Sequence, residues 1–197
     1  EGLEEFDSVE LLDRSPLARS RVSMPATWLD VFTDIRKTFE KLPEAQVAGL
    51  TSGDFSLLSK GGRCEACQGK GQVTLQMKFL ADAAVICGEC QGQRFQPPVL
   101  RVRYRGLSIS DTLNLTIDEA TEHFKNFPKI VKKLNPASEL GLGYLSLGQP
   151  SLSLSGGESQ RLRLAPFLGK KQTKKRLLIL DEPSRGLHFS DVAKLLK

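Results

Sequence analysis

The sequence predicts a mixed α/β protein carrying an inserted four-cysteine module. Three observations lead there. Apolar residues recur every three or four positions in several segments, as in amphipathic helices. The run Leu177 to Leu180 is wholly apolar and ends in Asp181-Glu182, which reads as a buried strand. All four cysteines fall in two close pairs, Cys64/Cys67 and Cys87/Cys90. With 197 residues of which 40% are hydrophobic, the chain can build a real core, which excludes disordered and fibrous classes.

The elements follow in order. Leu29, Phe32, Ile35, Phe39 and Leu42 lie at helical spacing between Pro25 and Pro43, predicting one amphipathic helix of about four turns from Thr27. The Gly/Ser-rich segment 51–63 reads as a loop with one short strand. Val73, Leu75, Met77 and Phe79 alternate as one strand of a hairpin would. Pro98 to Gly106 alternates again, with Arg101, Arg103 and Arg105 opposite Val102 and Tyr104, predicting a second strand with one basic face. Residues 107–134 read as helix in two pieces: Thr116 and Glu119 have the spacing of a capping box, and Pro128 suits the first turn of the next piece. Asn135-Pro136 is expected to end it, followed by a glycine-rich loop, a helix from about Gly156 and the strand Leu177–Leu180. Pro166 should kink or end the helix that contains it.

Charge narrows the class. The chain has 28 Lys+Arg against 23 Asp+Glu, a net +5. Residues 1–13 hold six of the carboxylates and no basic residue, so the other 184 residues set 28 cations against 17 anions, a balance of +11. A basic body with an acidic leader favours a polyanionic partner. The longest nearly apolar run, Leu80 to Cys87, is eight residues and contains Asp82; a membrane span needs roughly 20. With no basic-then-apolar leader and an opening EGLEEF that lacks Met, the expectation is a soluble, cytoplasmic segment of a longer protein, with no membrane partner.

The cysteines carry the clearest chemistry. Each pair has two intervening residues, and 19 residues separate the pairs. Two such knuckles complete a tetrahedron around one Zn²⁺ ion, and four thiolates leave no open position for a catalytic water, so the metal would be structural. The alternative is a pair of disulfides. Arg63, Lys70, Lys78 and Arg94 lie in or beside the module and offer charge to a nucleic acid; the competing reading is an ordinary solvated face.

Leu154-Ser-Gly-Gly-Glu-Ser-Gln-Arg161 is the most specific stretch. A Ser-Gly-Gly turn opening a helix offers unpaired N–H groups and the positive end of the helix dipole to a phosphate. Asp181 follows Glu158 by 23 residues, at the end of Arg176-Leu-Leu-Ile-Leu-Asp-Glu-Pro183. Such a strand delivers two carboxylates to its C-terminal edge, the first suited to Mg²⁺ and the second to polarising an attacking water.

LSGGESQRLRLA resembles the signature motif of ABC-type ATPases, and LLILDEPSRGLH resembles their Walker B strand and D-loop. Together with CEACQGKG, CGECQGQRF, VRYRG, LGLGYLSLGQPSLSLSGGE and SPLARSRVSMPAT, the chain is similar to the second half of the A-subunit family of the bacterial excinuclease. The resemblance implies an incomplete ABC-type nucleotide-binding domain, with a helical signature subdomain, a Walker B strand and the inserted four-cysteine zinc module. It divides the chain into part of the ATP-binding core with a linking helix (1–50), the zinc module and flanking strands (51–106), the signature subdomain (107–170), and the Walker B strand with the D-loop (171–197). It implies that Ser155, Gly156, Gly157, Glu158 and Gln160 serve ATP bound on an opposing domain. Asp181 would serve Mg²⁺, Glu182 would be the catalytic base, and Gly186 and His188 would belong to the D-loop. Cys64, Cys67, Cys87 and Cys90 would bind one Zn²⁺ in a module that recognises damaged DNA. The implied partners are damaged double-stranded DNA, the excinuclease B subunit and a second copy of the intact protein.

Several departures qualify that pattern. No GxxxxGK[ST] occurs, Gly169-Lys170 being followed by Lys171, so this segment should not hydrolyse ATP alone. No switch histidine follows the D-loop. Arg14 stands where the family has the Q-loop glutamine, and Arg185 where a small polar residue precedes the D-loop glycine. Two rivals share parts of the pattern. Cys64-Glu-Ala-Cys-Gln-Gly-Lys-Gly71 fits the CxxCxGxG repeat of DnaJ-type chaperones, but those use four repeats, and the second one here ends in Arg94. An ABC transporter's nucleotide-binding domain would share the phosphate motifs but not the zinc insertion.

Overall fold

Two segments far apart in sequence, Ser8–Leu12 (β1) and Arg176–Leu180 (β4), pair in parallel with Ser8 opposite Arg176 and Leu12 opposite Leu180. The computed structural model describes residues 5–12, 17, 22–76, 83–168 and 175–181, the side chains of Arg176 and Leu180 excepted. The chain divides into one unit of residues Glu1–Val31 with Leu115–Lys197 and a second of Phe32–Asn114. Residues 32–50, the second part of the segment read from the sequence as ATP-binding core with a linking helix, fall in the unit that holds the cysteine module.

In the first unit, α1 (Pro25–Trp28) stops after one turn. Asp30 adopts φ 53°, and the Val31 N–H donates back to the Ala26 carbonyl at 3.0 Å. This is the Schellman pattern, with an aspartate in the left-handed position glycine usually fills. The single four-turn helix expected from Thr27 is thereby broken, and Lys133 Nζ donates to both the carbonyl and the carboxylate of Asp30 (2.6 and 2.8 Å).

Further along, α6 (Ile117–His123) begins with the expected box: the Thr116 hydroxyl accepts from Glu119 N–H at 3.2 Å, and the Glu119 carboxylate accepts from Thr116 N–H at 2.8 Å. The helix α7 (Pro128–Ala137) has Pro128 in its first turn as expected. It does not end at Asn135-Pro136 but runs through Pro136 into a π turn (Ser138–Leu142) broken at Gly141, φ 73°. A proline in a last turn forfeits one bond but does not stop the helix, whereas a left-handed glycine does. The glycine-rich stretch then folds as turns and a 3₁₀ turn (Ser151–Ser153) before α8 (Gly156–Leu168). The described part of α8 passes through Pro166 to Leu168. Ile117, Phe124, Ile130, Leu134, Leu142 and Leu162 form the fully buried interior of α6, α7, the π turn and α8.

The second unit opens with α2 (Phe32–Glu40) and α3 (Pro43–Val47). Phe39 meets Phe55 with ring centroids 5.6 Å apart, and both are fully buried. In the loop after α3 the expected short strand reduces to a single bridge between Arg63 and Phe95. Gly62 there lies so close to the Asp54 backbone that a Cβ would overlap its carbonyl. The hairpin pairs β2 (Gln72–Leu75) with β3 (Ala83–Ile86), Gln72 opposite Ile86; Met77 and Phe79 of the expected strand lie outside the described residues.

The strand expected over Pro98–Gly106 is not formed. Pro97 and Pro98 instead start the short helix α4 (Pro97–Arg101), where a missing N–H costs nothing, and Val99 and Val102 are buried three residues apart. Beyond it, Tyr104 bridges Leu107 around a tight turn through Arg105 (φ 47°) and Gly106 (φ 82°). Arg101, Arg103 and Arg105 are exposed but share no sheet face. The helix α5 (Ile109–Asn114) completes the unit, with Ser108 and Asp111 exchanging cap hydrogen bonds at its start. Residues 107–134 thus form three helical pieces where two were expected.

Candidate metal centre and the helix after Ser155

The four cysteine sulfurs all lie within 4.8 Å of one another, and every cysteine is buried. No disulfide joins them: the sulfurs of Cys64 and Cys87 lie 4.0 Å apart and those of Cys67 and Cys90 3.7 Å apart. Four buried sulfurs converging on one point suit a soft or borderline tetrahedral ion and leave no position open. Two knuckles of the same design build the site. In the first, Gly69 N–H donates to Cys64 C=O (3.1 Å) and Lys70 N–H to Cys67 C=O (3.1 Å). In the second, Gln91 N–H donates to Cys87 C=O (2.9 Å) and Gln93 N–H to Cys90 C=O (2.8 Å). Gln68 and Gly69 take left-handed φ in one, Gln91 and Gly92 in the other. The turn after each second cysteine brings a backbone N–H to sulfur: Gly71 N–H donates to Cys67 Sγ at 3.2 Å, and Arg94 N–H serves Cys90. The N–H of Cys90 holds the Cys87 thiol down to about 7, whereas burial pushes Cys90 up to about 12.

The cations expected to face DNA are disposed differently from one another. Arg63 donates to Glu65 (3.3 Å) and to the Leu58 carbonyl (2.8 Å), and Lys70 is half-buried. Arg94 runs along the cysteine cluster, its Cγ and Nε lying 3.1 and 3.5 Å from where a Cβ on Gly71 would sit. Lys78 lies outside the described residues.

In the first unit, α8 opens at Gly156 as expected, but its first N–H groups are partly engaged. Ser155 N–H donates to Glu158 Oε2 at 2.7 Å, and Glu158 N–H donates to Ser155 Oγ at 3.3 Å. This is a second capping box, and its Ser-x-x-Glu spacing was readable from the sequence. Tyr144, which the motifs do not single out, donates its hydroxyl to Glu158 Oε1 at 2.5 Å. Burial alone would raise the Glu158 carboxyl; the hydrogen bonds from Tyr144 and Ser155, with Arg161 nearby, outweigh it and hold the group below the usual glutamate range.

Gln160 is only 4% exposed and points inward. Its Nε2 donates to the Leu12 carbonyl (2.9 Å) and to the Asp181 carbonyl (2.8 Å), using both amide hydrogens on the ends of β1 and β4. Read from the sequence as serving ATP, it ties the ends of the two strands to α8. Next to it, buried Arg161 donates to the Leu140 carbonyl at 3.1 Å, satisfying the π turn. Asp181 is exposed at the end of β4. Glu182, Gly186 and His188 lie outside the described residues, as do Arg14, Arg185 and Gly169 to Lys171.

No family model matches the chain. Among curated proteins it is 52% identical over 196 residues to UvrABC system protein A of Thermus thermophilus, covering 100% of this chain and 21% of that protein. The protein of the same name from Methanothermobacter thermautotrophicus is 48% identical over 196 residues, covering 100% of this chain and 20% of that protein. Of solved structures, UvrA2 from Deinococcus radiodurans superposes with a TM-score of 0.92 at 41% identity, covering 98% of this chain and 24% of that one. The chain therefore spans about a fifth of the length of the curated relatives it matches. High identity along its whole length, together with the shared backbone, shows that the chain belongs to the UvrABC system protein A family.

Proposed function

We propose that this chain is part of the damage-recognition ATPase subunit of a bacterial-type excision-repair complex, coupling ATP binding and hydrolysis to DNA recognition and loading of the B subunit. The observation that carries the reading is the alignment of the whole chain, at 52% identity, with about a fifth of UvrABC system protein A. In that reading the chain supplies an incomplete ABC-type domain. Ser155, Gly156, Gly157 and Glu158 face the γ-phosphate of ATP held on an opposing domain, the side chain of Asp181 holds Mg²⁺, and Glu182 accepts the proton of the attacking water. Gly186 and His188 lie in the loop that crosses to the partner domain, and the intact protein works as a homodimer in the cytoplasm.

Cys64, Cys67, Cys87 and Cys90 would hold one Zn²⁺, whose contribution is to fix the module's shape. Four converging buried sulfurs with backbone N–H donors support that assignment. Lys70 and Lys78, with Arg63, would meet the phosphates of a damaged duplex. Metal analysis should find about one zinc per chain, and duplex binding should weaken steeply as salt rises. Salt-independent binding of unfolded polypeptide, with no duplex affinity, would point to the chaperone reading instead.

A further inference from the structure

The two cysteine knuckles superimpose in sequence as Cys64-x-x-Cys67-Gln-Gly-Lys-Gly71 and Cys87-x-x-Cys90-Gln-Gly-Gln-Arg94. Their backbones match step for step: Gln68 and Gln91 (φ 53° and 48°), Gly69 and Gly92 (76° and 83°), Gly71 and Arg94 (75° and 70°) are all left-handed. At the last position the first knuckle has glycine, the residue that geometry favours, and the second has arginine. A non-glycine residue held there is strained, and such strain persists where the surrounding structure enforces it, often at functional sites.

The environment says what the side chain does. Four thiolates around one divalent cation leave about two negative charges uncompensated in a buried cluster, and buried charge is costly unless it is paired or hydrogen-bonded. Arg94 leans over Gly71 of the other knuckle, its Cγ and Nε 3.1 and 3.5 Å from where a Cβ there would sit; burial weakens the hold of its guanidinium on the proton, and the charges of Cys67 in one knuckle and Cys90 in the other act against that. Its backbone is pinned on both sides, for the Arg94 carbonyl accepts from Cys64 N–H at 2.8 Å and its N–H serves Cys90. Gly71 is the complementary half of the arrangement. Its N–H donates to Cys67 Sγ, and its missing Cβ leaves room for the arginine.

We propose that Arg94 is a positioning residue of the four-cysteine centre: its guanidinium offsets the excess charge of the metal-bound thiolates across the two knuckles and raises the centre's affinity for a divalent ion. The proposal rests on the metal reading above and removes Arg94 from the cations available to DNA.

The test is competitive metal binding by the full chain, titrating Co²⁺ and Zn²⁺ against a chelator and following the thiolate–Co²⁺ absorption. Three substitutions separate the causes. Arg94→Gly restores the glycine of the first knuckle and relieves the backbone, so it should fold. Arg94→Lys keeps the charge, and Arg94→Met keeps most of the stem. Arg94→Gly and Arg94→Met should each lose roughly 10–100-fold in metal affinity, the usual scale for partners beyond the ligands themselves. Arg94→Lys should retain most of it, and the Co²⁺ spectrum should stay tetrahedral throughout. Equal losses in the Lys and Met variants would mean that shape and not charge matters, and would overturn the proposal, as would an Arg94→Gly chain binding metal within twofold of the parent or tighter. If the parent chain itself binds no metal, the metal reading fails first, and the two failures are distinguishable.

Discussion

Replacing Gln160 by alanine removes a side chain that ties α8 to the ends of both β1 and β4. Two hydrogen bonds to backbone carbonyls disappear (2.9 and 2.8 Å). At about 0.5–1.5 kcal/mol net for each, the loss is about 1–3 kcal/mol. The lower half of that range applies to the Leu12 carbonyl, which keeps a second, longer donor in Asp181 N–H at 3.4 Å. A working value of about 2 kcal/mol corresponds to about 4–8 °C in Tm for a chain of this size. Gln160→Glu sharpens the test, since it sets a carboxylate against the Leu12 and Asp181 carbonyl oxygens in a buried site, and should cost more than the alanine change. Urea unfolding of the three chains, followed by far-UV circular dichroism, gives the comparison. A Gln160→Ala loss under about 0.5 kcal/mol, or a glutamate variant as stable as the alanine one, would refute the brace.

Two further outcomes can be checked together. The Glu158 carboxyl is held below its ordinary value, so the interactions that depress it stabilise the fold above the unfolded glutamate pKa, about 4.3, and are lost as the pH falls through the folded value. Tyr144→Phe should therefore be less stable than the parent at neutral pH, and the gap should narrow on acidification below about pH 4; a gap that stays constant to low pH would show that the hydroxyl acts by other means. Gly62→Ala should destabilise by the upper end of about 1–3 kcal/mol, because its Cβ would meet the Asp54 backbone and not a movable side chain; a near-neutral result in chemical unfolding would contradict that close approach.

What the sequence foretold was local. Thr116 and Glu119 form their box, Pro128 opens its helix and Gly156 begins α8, because each signal acts within one turn of chain. The four cysteines converge because their spacing already fixes each knuckle. The misreadings came where one residue settled between two patterns of equal apparent strength. Alternation over Pro98–Gly106 gave way to the Pro97-Pro98 helix start, and the helical period through Leu29 and Phe32 was cut by Asp30 in a left-handed conformation. Gln160 and Arg94 belong to another class. Their motifs marked them, but their direction, inward in one case and across to the other knuckle in the second, is decided by residues up to 148 positions away.

The pairing of β1 with β4 also fixes an order of events during synthesis. The 163 residues between Leu12 and Arg176 make that closure costly, about 4.5 kcal/mol of loop entropy against about 1.7 for the seven-residue connection of the β2–β3 hairpin. Residues 32–114 are one unbroken stretch, complete 62 residues before Arg176 is added. At about 5–20 residues per second on the ribosome, that is a head start of about 3–12 s. The cysteine-bearing unit can thus finish folding while β1 still waits for its neighbour. Within this chain β1 gains its β4 partner only at the end of that interval, and its apolar Val9 and Leu11 stay 45% and 62% exposed even after pairing.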